Sequence, residues 1–241
     1  MADRPIIFSA PMVRALLDGR KTQTRRVLKP QPERAVVEGE ELPVGVLHAA
    51  GERLPRVTIG RVITRQEIRF APGDRLWVRE ACALWMTRDG KLVLPPDEDG
   101  PVYRATEPED NWRAMLSDQK TLREINCGKS CRTGNWAVRN SIFMPRWASR
   151  LTLIVESVKV ERLQDISEAD AWAEGIEALD GALDDKIRAI ASSQSMMLED
   201  ARTTYAALWE SINGPDSWAA NPWVAAISFR VIRANIDRGG V

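Results

Sequence analysis

Short stretches of alternating hydrophobic and polar residues recur along the chain, and this pattern is typical of strands with one buried face. The clearest is Arg75–Glu80, which follows a Pro72-Gly73-Asp74 turn and places Leu76 and Val78 on one face. Further strands are predicted at residues 5–8, 20–27, 56–70 (as a pair), 150–162 and 224–232. The strand at 150–162 has one bend near Glu156 and the candidate core residues Leu151, Leu153, Val155, Val158 and Val160.

Helical spacing and helix-end residues predict three helices. The first begins at Pro11, whose missing N–H needs no partner in a first helical turn, and ends at Gly19. The second begins after Ser167, which has the spacing of a capping box to Asp170, and ends at Gly175. The third covers residues 197–212, with a predicted buried side formed by Ala201, Tyr205, Leu208, Trp209 and Ile212.

Strands interleaved with short helices, without an alternating βαβ rhythm, predict an α+β fold with a small mixed or barrel-like sheet. The length of 241 residues suits one domain. Two regions, near residues 29–70 and 84–140, lack sustained periodicity, so we predict insertions there. The second insertion contains a short predicted helix at Trp112–Glu124.

The composition is that of a folded chain, with 44% hydrophobic and 28% charged residues. These values exclude disordered, collagen-like and coiled-coil proteins. No apolar run approaches the roughly 20 residues of a membrane span, and Ile6-Ile7-Phe8 is too short for a signal peptide. Three cysteines suit a reducing compartment without disulfides. We therefore expect a cytoplasmic protein without a membrane partner.

The formal net charge of zero conceals a segregation of charge along the sequence. Basic residues crowd the stretches 14–34, 53–79 and 129–150, whereas acidic residues dominate 156–185. Such a chain can present a positive face to a phosphate-bearing partner. The alternative is a solvated, salt-bridged surface, and the sequence leaves both open.

Several kinds of site are excluded by what the sequence lacks. With His48 as its single histidine, the chain has neither a HExxH metal site nor a multi-histidine centre. It has no glycine-rich dinucleotide or P-loop motif, so we expect no dinucleotide cofactor. Cys127 and Cys131 form one short-spaced pair that Cys82 and His48 could complete as a zinc site, but ordinary loop cysteines are the alternative and we predict no metal.

Nine tryptophans against four phenylalanines and two tyrosines is an unusual aromatic balance. Most are expected to pack in the core, as for Trp77 and Trp209. Four others lie in or beside turn-rich sequence that contains arginines: Trp136, Trp147, Trp218 and Trp223. An exposed indole there could stack on a nucleobase while Arg146 or Arg150 contacts phosphate.

The segment from Gly19 to Arg26 contains an amine and a hydroxyl close together in sequence. Lys21 and Thr24 need not share a face of an extended segment, but a turn could bring them within reach. A deprotonated lysine can act as a base toward a threonine hydroxyl, and the neighbouring arginines would lower its pKa. A basic surface turn is the alternative that the local sequence leaves open.

Several motifs, taken in order, resemble the ASCH family of the PUA-like superfamily, and in particular its larger phage- and prophage-encoded members. The motifs are Gly19-x-Lys21-x-x-Thr24-x-Arg26, Pro72-Gly73-Asp74-x-Leu76-x-Val78, residues 143–150, residues 163–175 and residues 208–214. They are spread over most of the chain and leave the two predicted insertions uncovered.

The resemblance implies a small PUA-like β-barrel with flanking helices and a cleft for a nucleoside or RNA. Some compact bacterial members are amidohydrolases that remove the acetyl group from the exocyclic amine of acetylcytidine. Carried over to this sequence, their Lys, Thr and Glu fall on Lys21, Thr24 and Glu174. As contacts for the substrate or nucleic acid we predict Arg20, Arg25, Arg26, Arg79, Arg146 and Trp147.

Three hypotheses about function follow. The first is a metal-independent amidohydrolase in which Thr24 attacks the acyl carbonyl, Lys21 transfers the proton and Glu174 positions Lys21. Lys21 as the group that stabilises the oxyanion is equally compatible with the sequence. The second is a non-catalytic module that binds RNA or modified nucleic acid. The third, a phage structural or assembly protein, has no independent support in the sequence, which also leaves the oligomeric state open.

Overall fold

The secondary structure of the described part of the chain is mixed: bounds are given below for ten strands and three α-helices, and residues 109–110, 188–189 and 191–192 are also helical. The computed structural model describes residues 1–29, 31, 46–47, 69–86, 92–93, 101–110, 136–176, 188–189, 191–192 and 200–238. The strands are β1 (Asp3–Ile7), β2 (Gln23–Val27), β3 (Val46–Leu47), β4 (Arg75–Arg79), β5 (Cys82–Met86), β6 (Leu92–Val93), β7 (Val102–Tyr103), β8 (Trp136–Arg139), β9 (Thr152–Arg162) and β10 (Trp223–Ile232). The helices are α1 (Ala10–Leu17), α2 (Glu168–Ala173) and α3 (Ala201–Asn213).

The chain divides into two compact units. The first unit comprises Met1–Asp3, Ala15–Arg75 and Leu153–Ile232, and the second comprises Arg4–Arg14, Leu76–Thr152 and Arg233–Val241. Each unit contains strands from distant parts of the sequence, so neither is a continuous stretch of chain.

In the first unit, neighbouring strands run in the order β9, β10, β2. β2 and β10 are antiparallel, and their register places Thr24 opposite Ile227 and Val27 opposite Val224. β3 pairs antiparallel with β9 through Val46 and Lys159. This sheet holds the Lys21–Arg26 segment against the last strand.

α2 begins and ends where its sequence predicts, whereas α3 begins at Ala201 and not at the predicted residue 197. The Ser167 side chain accepts a hydrogen bond from the Asp170 backbone N–H at the start of α2, and Asp200 caps α3 by accepting one from Thr203. Gly175 follows α2 with φ of 82°, a left-handed conformation that glycine adopts without steric cost.

The core of the first unit lies between α2, α3 and the sheet. Its buried residues are Leu163, Ile166, Ala171, Ile176, Ala201, Tyr205, Trp209 and Val224. α3 buries Ala201, Tyr205 and Trp209 of the face predicted for it, whereas Leu208 is half-buried and Ile212 is 65% exposed. The prediction for Ile212 is wrong because Ile212 lies in the last helical turn, past Trp209, the last residue of α3 in the core cluster.

In the second unit, β1 pairs with β4, and β5 is the centre of a separate four-stranded sheet with β6, β7 and β8. Leu76 and Val78 of β4 are buried, as the alternation predicts. A small cluster of Cys82, Leu84, Met144 and Ala148 forms the interior beside β5.

The α+β class predicted from the sequence is confirmed, and so are the strands at Arg75–Glu80, 150–162 and 224–232. Most of the two predicted insertions lies outside the described residues, including residues 56–68 of the predicted strand pair and the whole predicted helix at Trp112–Glu124. The single domain with two insertions therefore stays a prediction. Within the described residues, no helix combines the length and apolar character needed to cross a membrane.

Candidate functional site

A buried lysine and a buried glutamate, 153 residues apart in sequence, meet in the first unit. The Lys21 amine donates one hydrogen bond to Oε2 of Glu174 at 2.8 Å and another to the Glu174 carbonyl oxygen at 2.7 Å. Lys21 is 2% exposed and Glu174 is 3% exposed. Two ionisable groups are thus held together in a region of low dielectric.

The backbone brings this pair together. Lys21 and Glu174 form an isolated antiparallel β-bridge, and the Thr22 N–H donates to the Ala173 carbonyl at 2.9 Å. Gly19, with φ of 76°, lets the chain leave α1, after which the Lys21 N–H donates to the Ala15 carbonyl at 3.0 Å. The ends of α1 and α2 therefore determine where the lysine and the glutamate lie.

The second carboxylate oxygen of Glu174 has its own partners. Arg25 donates to Oε1 through Nη1 at 3.2 Å, and the Tyr205 hydroxyl donates to the same oxygen at 3.4 Å. Glu174 therefore divides its two oxygens, with Oε2 toward Lys21 and Oε1 toward Arg25 and Tyr205.

Arg25 is at the centre of a network of buried charges. Its side chain is completely buried and also binds Glu161 through Nε and Nη2 at 3.1 and 2.7 Å. Nη2 reaches Asp170 at 3.3 Å, and Nη1 reaches the Gln23 amide oxygen at 2.6 Å. Arg25 was predicted as a contact for substrate or nucleic acid, whereas the structure places its guanidinium inside the protein among three carboxylates.

The environment of Lys21 favours its neutral form. Burial lowers the pKa of Lys21 below its ordinary value, the Glu174 carboxylate opposes this change, and the charges of Arg26 and Arg25 add to the lowering. The sequence predicted lowering by neighbouring arginines, but the larger cause is the loss of water around the amine.

Thr24 lies in β2, three positions after Lys21, and is 4% exposed. Within the described residues, its hydroxyl forms no hydrogen bond with Lys21 or Glu174. Thr22, between the two motif residues, is exposed, so this segment lies directly beneath the protein surface. The structure therefore pairs two of the three predicted catalytic residues and places the third in the adjoining strand.

The other predicted contacts in the first unit are Arg20 and Arg26. Arg20 donates to the Gly175 carbonyl at 3.1 Å and pairs with Asp18 at 2.8 Å, with about a third of its side chain exposed. Arg26 is half-buried in β2, and burial lowers its pKa despite the nearby charge of Glu174. Arg20 thus adjoins the backbone of the buried pair, and Arg26 acts on it through charge.

Three further predicted contacts lie in the second unit. Arg79 is half-buried and stacks over the Trp77 ring at 5.4 Å. Arg146 pairs with Asp237 at 2.6 Å. Trp147 is 40% exposed. Of these three residues, Trp147 is the aromatic one, and it is partly exposed to solvent.

The remaining tryptophan predictions divide between core and surface. Trp209 is buried as predicted, whereas Trp77 is half-buried. Trp223, predicted in a turn-rich region, is instead buried in β10, where the Arg162 guanidinium lies 4.6 Å from its ring. Trp218 packs against the core and against Tyr205, and the side chain of Trp136 lies outside the described residues.

Of the four candidate zinc ligands, Cys82 lies within the described residues. His48, Cys127 and Cys131 lie outside the described residues. Cys82 is buried, and burial raises the pKa of its thiol to about 12. Among the residues that are described, no cluster of three His, Cys, Asp or Glu side chains could hold a metal ion.

Three residues of the network, Tyr205, Glu161 and Asp170, were not predicted as part of the site. Tyr205 carried a usable signal, because a tyrosine on the buried face of a helix needs a hydrogen-bond partner for its hydroxyl. Glu161 carried a weaker one as an acidic residue inside a strand of otherwise apolar buried positions. Neither signal identifies the partner, which comes from a distant segment.

Comparisons with known proteins add no further constraint: no family model matches the chain, and no curated protein or solved structure matches it significantly.

Proposed function

We propose that the protein is a metal-independent amidohydrolase that removes an acyl group from the exocyclic amine of N-acylated cytidine, on a PUA-like fold. The observation that supports it most is the buried Lys21 amine bound to the Glu174 carboxylate at 2.8 Å. A buried lysine whose pKa is lowered gives up its proton more readily than an ordinary lysine, as a general base must. The motif that resembles the ASCH family supplies Thr24 as the nucleophile.

The hydrogen bonds of Lys21 suit this role. A neutral amine has two N–H donors, and Glu174 offers it two acceptors, one from the side chain and one from the main chain. Glu174 orients Lys21 and does not itself react.

In the proposed reaction, the Thr24 oxygen forms a bond to the acyl carbonyl carbon while its proton passes to the Lys21 nitrogen. The tetrahedral intermediate then loses the cytidine amine, which takes the proton back from Lys21 as the C–N bond breaks. Water attacks the resulting threonine ester, gives its proton to Lys21, and releases the carboxylic acid as the proton returns to Thr24. Each proton that Lys21 accepts is therefore returned within the cycle.

The alternative role of Lys21, as a cation that stabilises the oxyanion, predicts the opposite pH dependence. A base must be neutral, so the rate rises as pH increases through the pKa of Lys21. An oxyanion stabiliser must be charged, so the rate falls over the same range. The lowered pKa of Lys21 favours the first role.

The direct test is release of cytidine from N-acylated cytidines of increasing acyl size. We expect the wild-type protein to release cytidine, and Lys21→Met to lower the rate at least about 100-fold, the lower range for a general acid–base group. Thr24→Val is expected to abolish release, and Thr24→Ser, which retains a hydroxyl, to preserve part of it.

Lys29→Met is the matched control, because Lys29 is an exposed lysine two residues after the end of β2. Its activity should equal that of the wild type within about twofold. Cytidine release by Thr24→Val at the wild-type rate would rule out the threonine mechanism.

Binding of RNA or modified nucleic acid is a second candidate function, favoured by exposed apolar residues in the second unit. Ile142, Phe143 and Trp147 are 57, 67 and 40% exposed. The Asn235 amide holds this segment by donating to the Arg146 carbonyl at 2.9 Å and the Ser149 carbonyl at 2.7 Å. Exposed aromatic rings on a fixed backbone are suited to stacking with unpaired bases.

This candidate predicts salt-dependent binding of a single-stranded oligonucleotide, measured by fluorescence anisotropy. The affinity should fall about tenfold between about 50 and 200 mM salt if two phosphates are neutralised. Trp147→Ala should weaken binding about tenfold through loss of one stacked base. Trp172→Ala, which removes an indole of similar exposure from the first unit, should have no effect. Equal losses in both variants would contradict a binding surface at Trp147.

A further inference from the structure

We propose that Arg25 is a positioning residue: anchored by Glu161 and Asp170, it holds Oε1 of Glu174 and thereby keeps Oε2 directed at the Lys21 amine. The inference rests on the proposed function for its catalytic meaning. The geometry itself comes from the buried network and needs no substrate.

The anchoring of Arg25 does not depend on Glu174. Nε and Nη2 both bind Oε1 of Glu161, at 3.1 and 2.7 Å, and Nη2 also reaches Asp170. Nη1 binds the Gln23 amide oxygen at 2.6 Å. Because the planar guanidinium is held along both edges, Nη1 presents a donor at a fixed place.

Glu174 meets this donor with one oxygen only. Nη1 lies 3.2 Å from Oε1, and the Tyr205 hydroxyl lies 3.4 Å from the same oxygen. With Oε1 held, the carboxylate cannot rotate freely, and Oε2 faces Lys21 at 2.8 Å. Without the hydrogen bonds to Oε1, the carboxylate could rotate until both of its oxygens faced the amine.

The charges around the pair give this arrangement an electrostatic consequence. Lys21 faces Glu174, with Arg26 and Arg25 nearby, and Arg25 in turn faces Glu161, Asp170 and Tyr205. Lys159 neutralises part of the Glu161 charge at 2.6 Å. By sharing Glu174 with Lys21, Arg25 weakens the attraction that would otherwise keep the amine protonated.

The test is the titration of Lys21 in the intact protein, followed by NMR of isotopically labelled lysine side chains and assigned with Lys21→Arg. The main variant is Arg25→Gln/Glu161→Gln, which removes one positive and one negative charge together. We expect the midpoint of Lys21 to rise by about one pH unit, because Arg25 then no longer shares the Glu174 carboxylate with Lys21. Activity near pH 7 should fall about tenfold, with the rising limb of the pH profile displaced to higher pH.

Arg25→Lys is the second variant, chosen because it keeps the charge and loses the planar fork. Here the midpoint should rise less, while kcat falls and KM changes little. Arg75→Lys is the matched control, since Arg75 binds Asp3 through Nε and Nη2 at 2.8 Å in a partly exposed pair. It should leave the Lys21 titration unchanged.

A Lys21 titration that superposes on the wild type in every folded Arg25 variant would overturn the positioning role. A wild-type protein that releases no cytidine would instead overturn the proposed function. The two failures are distinguishable because the titration is measured without substrate.

Discussion

Glu174→Gln is expected to lower the free energy of unfolding by about 3–5 kcal/mol, the range for breaking one member of a buried charge pair. The glutamine amide would offer one acceptor oxygen and one donor nitrogen where Lys21 and Arg25 both donate. Whichever way the amide turns, its NH₂ group replaces a carboxylate oxygen beside Arg25 or Lys21, so one of them loses an acceptor that the carboxylate supplied. Urea unfolding followed by circular dichroism measures the change.

The double variant Lys21→Met/Glu174→Gln separates the interaction energy between Lys21 and Glu174 from the effect of losing the Glu174 carboxylate alone. With the amine gone, the amide oxygen can face Arg25, so the double variant should be more stable than the sum of the single variants by about 1–3 kcal/mol. Asp3→Asn is the matched control, because the Asp3–Arg75 pair is about one-quarter exposed on both sides. It should cost only about 1 kcal/mol. If Asp3→Asn and Glu174→Gln lowered the free energy of unfolding by similar amounts, burial of the Glu174 charge would add nothing to the cost of its loss.

Gly175→Ala is expected to destabilise the protein by about 3 kcal/mol and to disturb the Lys21–Glu174 pair. Its φ of 82° is unfavourable for a residue with a Cβ. A Cβ at this position would also lie 2.7 Å from the Lys21 Cβ and 2.9 Å from the Ala15 Cβ, closer than carbon atoms approach. Relief of these contacts requires a shift of the backbone that carries the pair, so activity should fall with stability.

Gly73→Ala separates the cost of the left-handed backbone conformation from the cost of the close contacts with Lys21 and Ala15. Gly73 has a similar φ of 86°, but a Cβ there would meet no atom within 4 Å. Its substitution should therefore cost only the conformational part, about 1–2 kcal/mol. A loss in Gly175→Ala no larger than that in Gly73→Ala would show that the close approach to Lys21 carries no penalty.

The elements whose boundaries are set by local chemistry could be predicted from the sequence. Alternation identified β4 through Leu76 and Val78, because a strand with one buried face repeats every second residue. Ser167 and Gly175 identified the start and the end of α2, because capping and left-handed backbone are properties of single residues. Helical spacing could not show that Ile212 lies beyond the core, since the extent of a core depends on what packs against the helix.

The candidate site could be predicted only in part. Lys21 and Glu174 were named together because of the resemblance to a family, not because any local spacing joins them. The burial of Arg25 could not be foreseen, since in sequence it belongs to an Arg25-Arg26 pair that is typical of an exposed basic turn. It becomes possible only because Glu161 on β9 and Asp170 and Glu174 on or next to α2 compensate its charge, and their proximity is a property of the tertiary structure.

The main-chain carbonyl and the side chain of Glu174 both bind the Lys21 amine, and the two contacts have different effects. Any amino acid at position 174 keeps its main-chain carbonyl, so the backbone bridge fixes the position of the Lys21 nitrogen. The side chain then orients the N–H groups of the amine and adjusts how readily that nitrogen gives up its proton. Basicity at this site can consequently be altered by substitution without relocating the reactive atom.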